Sequence, residues 1–287
     1  MPRTISPERN QAFPVDLPRS VFRRGKRQEP LPAGQPGRLE LAKRLRRFEM
    51  FAKLSLGSLR LLAEAASVRV FRTDETIWRA GEHCRQVLFI EQGLAKAARH
   101  NRAGVSRTYG LYGPGDSIGI YAIWAGMKYP TDVLAMNDGM TAILLDPDAL
   151  VEFAERHAEL AAPLMIELGH FTESFIRKIE IISAGSVAER LAALMTMLIE
   201  RYGVDRQAGA ARLPINLTLE HISDIVDARI ETIARVLSSW KREGWLATDA
   251  TGFHFSSLDK LHELLPVDVS GQDPETPASQ PNRATGA

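Results

Sequence analysis

LTLEHISDIVDARIETIARVLSSWKREGWL, residues 217–246, predicts two short helices joined by a tight turn. Thr218 is a favourable N-cap for the first helix. Apolar residues then recur at helical spacing, at Ile222, Ile225 and Val226. The turn comprises Asp227, Ala228 and Arg229, and the second helix follows it directly. Its expected buried stripe consists of Ile230, Ile233, Val236, Leu237 and Trp240.

The remaining residues of the second helix suit a surface that reads DNA. Glu231, Thr232, Ala234 and Arg235 fall on or beside the face opposite the stripe. In a helix-turn-helix, the second helix lies in the major groove with its N-terminal residues at the base edges. Arginine can donate two hydrogen bonds to guanine, and glutamate can accept one from cytosine. The alternative is a plain helical hairpin with solvated charges, because neighbouring acidic residues offset the basic ones and leave no evident phosphate-binding patch.

Composition sets few limits on the function. The chain has 287 residues, enough for two modest domains, and its 45% hydrophobic and 25% charged content is ordinary for a globular protein. The net charge of +1 gives no global sign of binding to nucleic acid or anionic membranes. Cys84 is the single cysteine, which excludes an intrachain disulfide and a cluster of several thiolate ligands from one chain. No apolar run approaches membrane-spanning length and no signal peptide is evident, so a cytoplasmic location is expected.

The pattern divides the chain into five segments of an α+β protein. Residues 1–40 form a basic, proline-rich arm that is expected to be disordered, either solvated or touching DNA. Residues 41–157 are expected to form an antiparallel jelly roll that acts as an effector or sensor domain, because turn residues separate many short β-like runs. These runs are 68–71, 76–78, 87–90, 94–97, 108–111, 132–136 and 140–145.

Residues 158–184 are expected to form a long dimerisation helix. Their apolar residues recur alternately three and four apart, as in a two-stranded coiled coil. The expected seam consists of Met165, Leu168, Thr172, Phe175, Ile179 and Ile182. The alternative is a helix packed on its own barrel. Residues 185–265 are assigned to a winged helix-turn-helix domain, with an amphipathic helix over 188–202 and a loop over 203–211, and residues 266–287 to a disordered tail.

Three motifs, in this order, resemble the CRP/FNR superfamily of bacterial transcription regulators. Residues 113–119, GPGDSIG, are similar to the family's glycine-rich turn before its ligand pocket. Residues 188–192, AERLA, look like the start of the helix that opens its DNA-binding domain. Residues 230–235, IETIAR, match its recognition helix. The resemblance spans residues 45–262 and implies a jelly roll like a cyclic-nucleotide-binding domain, a long dimer helix and a winged helix-turn-helix.

The resemblance is closest to the FNR/FixK side of the superfamily, where an aliphatic residue precedes the glutamate, as Ile230 does here. It implies a TTGA-like half-site, with Arg235 on the guanine and Glu231 on the opposite cytosine. Ala234 stands where many relatives have serine, which puts the outer bases in doubt. Thr218 and Thr232 could hold phosphates. The expected DNA-binding residues are thus Thr218, Arg229, Ile230, Glu231, Thr232, Ala234 and Arg235.

The family's known sensor chemistry is missing. Its cyclic-nucleotide pocket uses a Gly-Glu pair and an Arg-Ser/Thr pair, and this chain aligns Gly119-Ile120 and Tyr129-Pro130 there. We therefore expect a degenerate pocket at these residues and Thr131, and no bound cAMP, although Lys128 or Thr131 could be recruited by a shifted loop. Residues 1–48 contain no cysteine, which excludes an FNR-type iron–sulfur cluster within one chain.

No cofactor is predicted. Haem remains the family's other option, and His83 beside Cys84 is the candidate site for haem or redox chemistry, in a connecting turn. The histidines show no metal-ligand spacing, so no metal site is assigned.

The favoured function is a homodimeric regulator, an activator, that binds a palindromic operator and contacts RNA polymerase. The alternatives are a regulator that responds to a small ligand other than cAMP, and a protein-interaction module that has lost DNA binding. An enzyme is not expected, because we find no nucleophile–base arrangement, phosphate loop or metal-ligand spacing. No membrane partner is expected.

Overall fold

The computed structural model describes residues 36–100, 106–124, 128–207 and 209–265. The expected disordered tail at 266–287 and nearly all of the expected basic arm lie outside these residues. The chain divides into two compact units, and the boundary between them falls after Lys178, inside the long helix α5.

The first unit begins with two helices, α1 (Arg38–Leu45) and α2 (Leu56–Leu62). Ser55 caps α2, because its hydroxyl accepts a hydrogen bond from the Ser58 amide at 3.0 Å. Arg44 of α1 forms a half-buried ion pair with Glu91, with 2.7 Å between Nε and Oε1. The hydrogen bond to Glu91 raises the pKa of the Arg44 guanidinium, which stays charged.

The strands of this unit form two antiparallel sheets in a β-sandwich, as the jelly-roll prediction requires. The sheet orders are β1-β8-β3-β6 and β2-β7-β4-β5. The strands are β1 (Ala66–Phe71), β2 (Thr76–Trp78), β3 (Val87–Gln92), β4 (Ala95–His100), β5 (Ser106–Tyr112), β6 (Ser117–Ile118), β7 (Asp132–Ala135) and β8 (Met140–Leu145). The predicted runs correspond to all of these except β6, which is too short to show a period.

Strand β3 is buried on both faces, which explains its continuous apolar sequence. Leu88 and Ile90 pack in a core to which both sheets contribute. Val87 and Phe89 pack against the helices instead. The Phe89 ring lies 5.2 Å from the Phe48 ring, in an edge-on contact that favours aromatic pairs.

Three more helices complete the first unit and lead into the second. They are α3 (Ile120–Trp124), α4 (Pro147–Arg156) and α5 (Ala161–Ser183). Asp146 caps α4 by accepting from the Ala149 amide at 3.0 Å, and proline at the first helical position suits this end. The sequence did not predict α3, whose five residues are too few to show a helical period.

The second unit contains three main helices and a four-stranded sheet. This arrangement confirms the predicted winged helix-turn-helix. Its main helices are α6 (Val187–Tyr202), α7 (Leu219–Val226) and α8 (Ile230–Arg242), followed by the short α9 (Asp259–His262). Its strands are β9 (Val204–Gln207), β10 (Ala210–Leu213), β11 (Leu246–Asp249) and β12 (Gly252–Phe255), in the order β11-β12-β10-β9. Strands β11 and β12 form the hairpin, or wing, that follows α8.

The loop expected over residues 203–211 was wrong, because β9 and β10 form a hairpin there. Its polar sequence gives no strand signal. The hairpin forms because β10 also pairs with β12, where Arg212 lies opposite His254 and Leu213 opposite Phe253. This long-range pairing cannot be read from the local pattern. Among the helices that the structure describes, none has the length and apolar content to cross a membrane.

Candidate DNA-reading helix and sensor cavity

The turn between α7 and α8 is fixed by local hydrogen bonds. Thr218 caps α7, since its Oγ1 accepts from the His221 amide at 3.1 Å. Asp227 ends the helix in the left-handed conformation, with φ 52° and ψ 55°. Ser223 Oγ then donates to the Ala228 carbonyl at 2.6 Å. These contacts fix where α8 begins relative to α7.

Arg190 of α6 holds the same turn from outside. Its Nη1 donates to the Val226 carbonyl at 3.3 Å and to the Asp227 carbonyl at 3.2 Å. Its Nε donates to the Gly185 carbonyl at 3.0 Å. The C-terminus of α7 has unpaired carbonyls and partial negative charge, both of which a guanidinium satisfies. Sequence reasoning noted Arg190 only as part of AERLA and missed this role.

The buried face of α8 consists of Ile233, Leu237 and Trp240. Trp240 packs on Trp245 with ring centroids 4.6 Å apart. Ile230 does not belong to this face as predicted, because 37% of it is exposed. Ile230 is the first residue of α8 and precedes the turns whose apolar side chains are buried. Its side chain is therefore part of the protein surface.

The opposite face of α8 is exposed and polar. Glu231 and Arg235 lie one turn apart on it, and neither forms a side-chain hydrogen bond or ion pair with another described residue. Ser238 and Arg242 continue this face at the same helical spacing and are also exposed. Sequence reasoning missed both, although the 3.6-residue period that selects Glu231 and Arg235 also selects them.

The other expected DNA-binding residues lie around this face. Arg229 is the exposed N-cap of α8 and its side chain makes no capping bond. Thr232 and Ala234 are half-buried beside the polar face. The Thr218 hydroxyl accepts the capping bond at the start of α7, so only its proton is free to donate to a phosphate.

The first unit contains a cavity of about 340 Å³ with mainly aromatic walls. Trp78 and Tyr129 stack at 4.2 Å, and Tyr121 and Phe171 stack at 4.7 Å. Of the five residues expected in a degenerate pocket, four line the cavity: Gly119, Tyr129, Pro130 and Thr131. Gly119 has φ +105°, and a Cβ there would lie 3.3 Å from the Gln86 carbonyl oxygen, so this turn requires glycine.

Ile120, the fifth expected pocket residue, does not line the cavity. It is buried in the core between the helices and the first sheet, together with Phe89. The side chain at the position aligned with the family's glutamate therefore points into packed core. No carboxylate from this position is available to hold a ribose hydroxyl.

Tyr129, aligned with the family's arginine, is a structural residue of the wall. Its hydroxyl donates to the Gln86 carbonyl at 2.7 Å and accepts from the Arg85 and Gln86 amides. Burial raises the pKa of this hydroxyl well above its ordinary value. The ring is thus held by the two residues just before β3, and its hydroxyl is fully hydrogen-bonded.

Arg99 is the charged residue among the cavity residues that sequence reasoning missed. It lies on β4 two residues beyond Ala97, and both line the cavity. Residues two apart on a strand share a face, so Arg99 lies on the same face as Ala97, but the sequence does not show that this face borders a cavity. It is the one charged residue among the described residues of the lining.

Cys84 and His83 lie in the connecting segment before β3. Burial raises the pKa of the Cys84 thiol, which keeps it protonated and less reactive. His83 is exposed in a single bridge with Lys128. Within the described ranges, no group of three or more His, Cys, Asp or Glu residues is placed to bind a metal ion.

Helix α5 exposes apolar residues in a line along one side. Met165 is 68%, Ile176 51% and Ile179 59% exposed. Phe175, expected in the dimer seam, lines the cavity instead and contacts Phe171 edge-on at 4.9 Å. Of the other expected seam residues, Leu168 is half-buried, whereas Thr172 and Ile182 are exposed. The exposed line therefore runs through Ile176 rather than Phe175.

Comparison with known proteins identifies both units. The family model for the cyclic nucleotide-binding domain matches residues 68–157. The model for the Crp-like helix-turn-helix domain matches residues 189–264. A solved structure of FixK2 from Bradyrhizobium japonicum covers 71% of this chain and 98% of its own, with a TM-score of 0.62 and 20% identity. That likeness shows the fold.

Two curated relatives represent the two sides of the family. A CRP-like cAMP-activated global transcriptional regulator of Mycobacterium tuberculosis is 23% identical over 191 residues, which cover 67% of this chain and 84% of the relative. The fumarate and nitrate reduction regulatory protein of Escherichia coli is 23% identical over 190 residues, 66% of this chain and 75% of the relative. Overall sequence identity therefore does not show which side of the family this chain resembles more. That comparison depends on individual residues of the candidate sites.

Proposed function

Because the chain belongs to the CRP/FNR superfamily of transcription regulators, we propose that it binds, as a homodimer, a palindromic operator with TTGA-like half-sites. The single observation that carries this proposal is the exposed pair of Glu231 and Arg235 on α8. Arg235 would bind the guanine with two hydrogen bonds, and Glu231 would accept one from the opposite cytosine. Ile230 before Glu231 favours the FNR/FixK type of site over the cAMP-responsive type.

The rigid mounting of α8 supports this role. Its polar face can reach base edges only if the opposite face is anchored, and Ile233, Leu237 and Trp240 provide that anchor. Arg229 precedes the helix and Thr232 and Ala234 flank the face, where contacts to phosphates and a thymine methyl group fit their chemistry.

The dimer is proposed from the exposed apolar line of α5. Large apolar residues such as Met165, Ile176 and Ile179 would be covered if two copies of this helix paired. A two-fold dimer presents two copies of α8, so the operator should be a palindrome with half-site centres about one helical turn apart, roughly 34–36 Å. We further propose that the dimer activates transcription from the bacterial cytoplasm through contact with RNA polymerase.

A gel-shift titration tests the DNA assignment. The full-length protein is titrated against an inverted TTGA repeat and against a scrambled duplex, alone and with added cell extract. Wild type should prefer the repeat. Arg235→Ala should lose about 1–3 kcal/mol of this preference, because one bidentate base contact is removed.

Arg242→Ala is the matched control, since it removes the same charge from the same face of α8, two turns further along. It should weaken binding to both duplexes equally and reduce the salt dependence of binding, as is expected when a contact to a phosphate is lost. Equal binding of wild type to both duplexes, or an unchanged preference in Arg235→Ala, would refute the assigned reading.

A further inference from the structure

The walls of the cavity in the first unit are ordered aromatic rings. Trp78 and Tyr129 are nearly parallel, with 8° between their planes, and Tyr121 and Phe171 with 10°. Phe175 meets Phe171 at 79°. Such walls offer flat faces and edges to another ring, an arrangement that favours planar aromatic ligands over flexible chains.

The size of the cavity limits the ligand. Ligand sites usually have roughly 300–1,000 Å³, and a cavity of about 150 Å³ is enough for benzene. The cavity here has about 340 Å³. One or two fused rings with a small substituent therefore fit in it.

The charge of the cavity indicates an anion. Arg99 is the one charged residue among the described residues of the lining, and no carboxylate of the described residues pairs with it. An anion bound at Arg99 would pair with a guanidinium for which the described residues supply no carboxylate.

We propose that the cavity binds a planar aromatic carboxylate of one or two rings, with Arg99 pairing with the carboxylate and the ring packed against Trp78 and Tyr121. A guanidinium binds a carboxylate through two parallel hydrogen bonds. A cyclic nucleotide is disfavoured because no described residue of the lining supplies a carboxylate for its ribose hydroxyls. This binding goes beyond the DNA-binding function and does not depend on it.

Isothermal titration calorimetry of the full-length protein tests the proposal, with 2-naphthoate as the probe and 2-naphthamide as its neutral analogue. Arg99→Gln should weaken the affinity for 2-naphthoate about tenfold or more, because the charged contact is lost. It should change the affinity for 2-naphthamide less than about twofold. Arg60→Gln is the matched control. It removes the same charge from the exposed face of α2, outside the cavity lining, and should leave both ligands unchanged.

Tyr121→Ala should weaken the affinity for both ligands, since it removes an aromatic ring from the cavity wall and leaves the charge of the cavity unchanged. Three results would overturn the proposal: no binding of 2-naphthoate at millimolar concentration, an equal loss in Arg99→Gln and Arg60→Gln, or tighter binding of cAMP than of 2-naphthoate. Arg99 is exposed, so its replacement leaves the core intact, and circular dichroism checks the fold of each variant. The titrations contain no DNA and are decided separately from the operator assay.

Discussion

Arg190→Met should destabilise the second unit and impair DNA binding, because the guanidinium holds the turn between α7 and α8. Methionine keeps most of the apolar stem of the side chain. It loses the donors to the Val226 and Asp227 carbonyls, at 3.3 and 3.2 Å, and to the Gly185 carbonyl at 3.0 Å.

The magnitude follows from the geometry. A hydrogen bond from a charged donor contributes about 1.5–3 kcal/mol. The two hydrogen bonds to the end of α7 share one nitrogen, Nη1, and Arg190 is half-exposed. The three hydrogen bonds of Arg190 together should therefore contribute about 2 kcal/mol to the free energy of unfolding. That is a factor of roughly 30 in the folding equilibrium. For a domain of 60–100 residues it lowers Tm on the order of 10 °C.

Thermal melts of the full chain, followed by circular dichroism, measure the effect. Arg190→Lys should recover only part of the loss, since an ammonium cannot place donors toward carbonyls on both sides. Arg60→Met, which removes an exposed arginine from α2, is the control and should melt like wild type. If Arg190→Met melts within about 2 °C of wild type and keeps its operator preference, the turn does not depend on this side chain.

Three other changes test further contacts. Thr218→Ala should cost about 1 kcal/mol in denaturant unfolding because α7 loses its cap, and Thr218→Ser should restore it. Burial raises the pKa of Glu167, which accepts a hydrogen bond from Ser117 Oγ. The native state therefore keeps the carboxyl proton of Glu167 at pH values where the unfolded chain has released it. As pH rises above the ordinary pKa of glutamate, the contribution of Glu167 to the free energy of unfolding falls. Glu167→Gln should therefore raise Tm more at pH 8 than at pH 4.5, and an equal change at both would contradict this. Ile176→Glu should convert the proposed dimer to a monomer in sedimentation, whereas Leu61→Glu, at a more exposed apolar position on α2, should not.

The strands differ in how far they could be predicted. Most strands of the sandwich carry their own signal, because they are short β-like runs separated by turn residues. The hairpin of β9 and β10 carries none: its polar residues form strands only because β12 pairs with β10. Strand β6 has two residues and exists through its pairing with β3. Long-range pairing is thus the part that sequence does not reveal.

The candidate sites divide in the same way. Glu231 and Arg235 could be predicted because helical periodicity alone separates them from the buried stripe. Ile230 was assigned to that stripe, since periodicity does not show where packing stops at a helix end. Arg190 acts on carbonyls 36 and 37 residues away, and Arg99 faces the cavity only because of how the sheet folds. Such roles require the tertiary structure.

The two faces of α5 connect the proposed ligand to the proposed dimer. Phe171 and Phe175 lie one turn apart and line the cavity. Thr172 and Ile176 each follow by one residue and are exposed, so they lie about a quarter turn around the same helix. A ligand that shifts the backbone of α5 at Phe175 also shifts the adjacent Ile176. A ligand that binds the dimer and the monomer with different affinity must strengthen or weaken dimerisation by the same factor. Phe175 lines the cavity and the adjacent Ile176 is exposed; this arrangement makes the linkage physically possible.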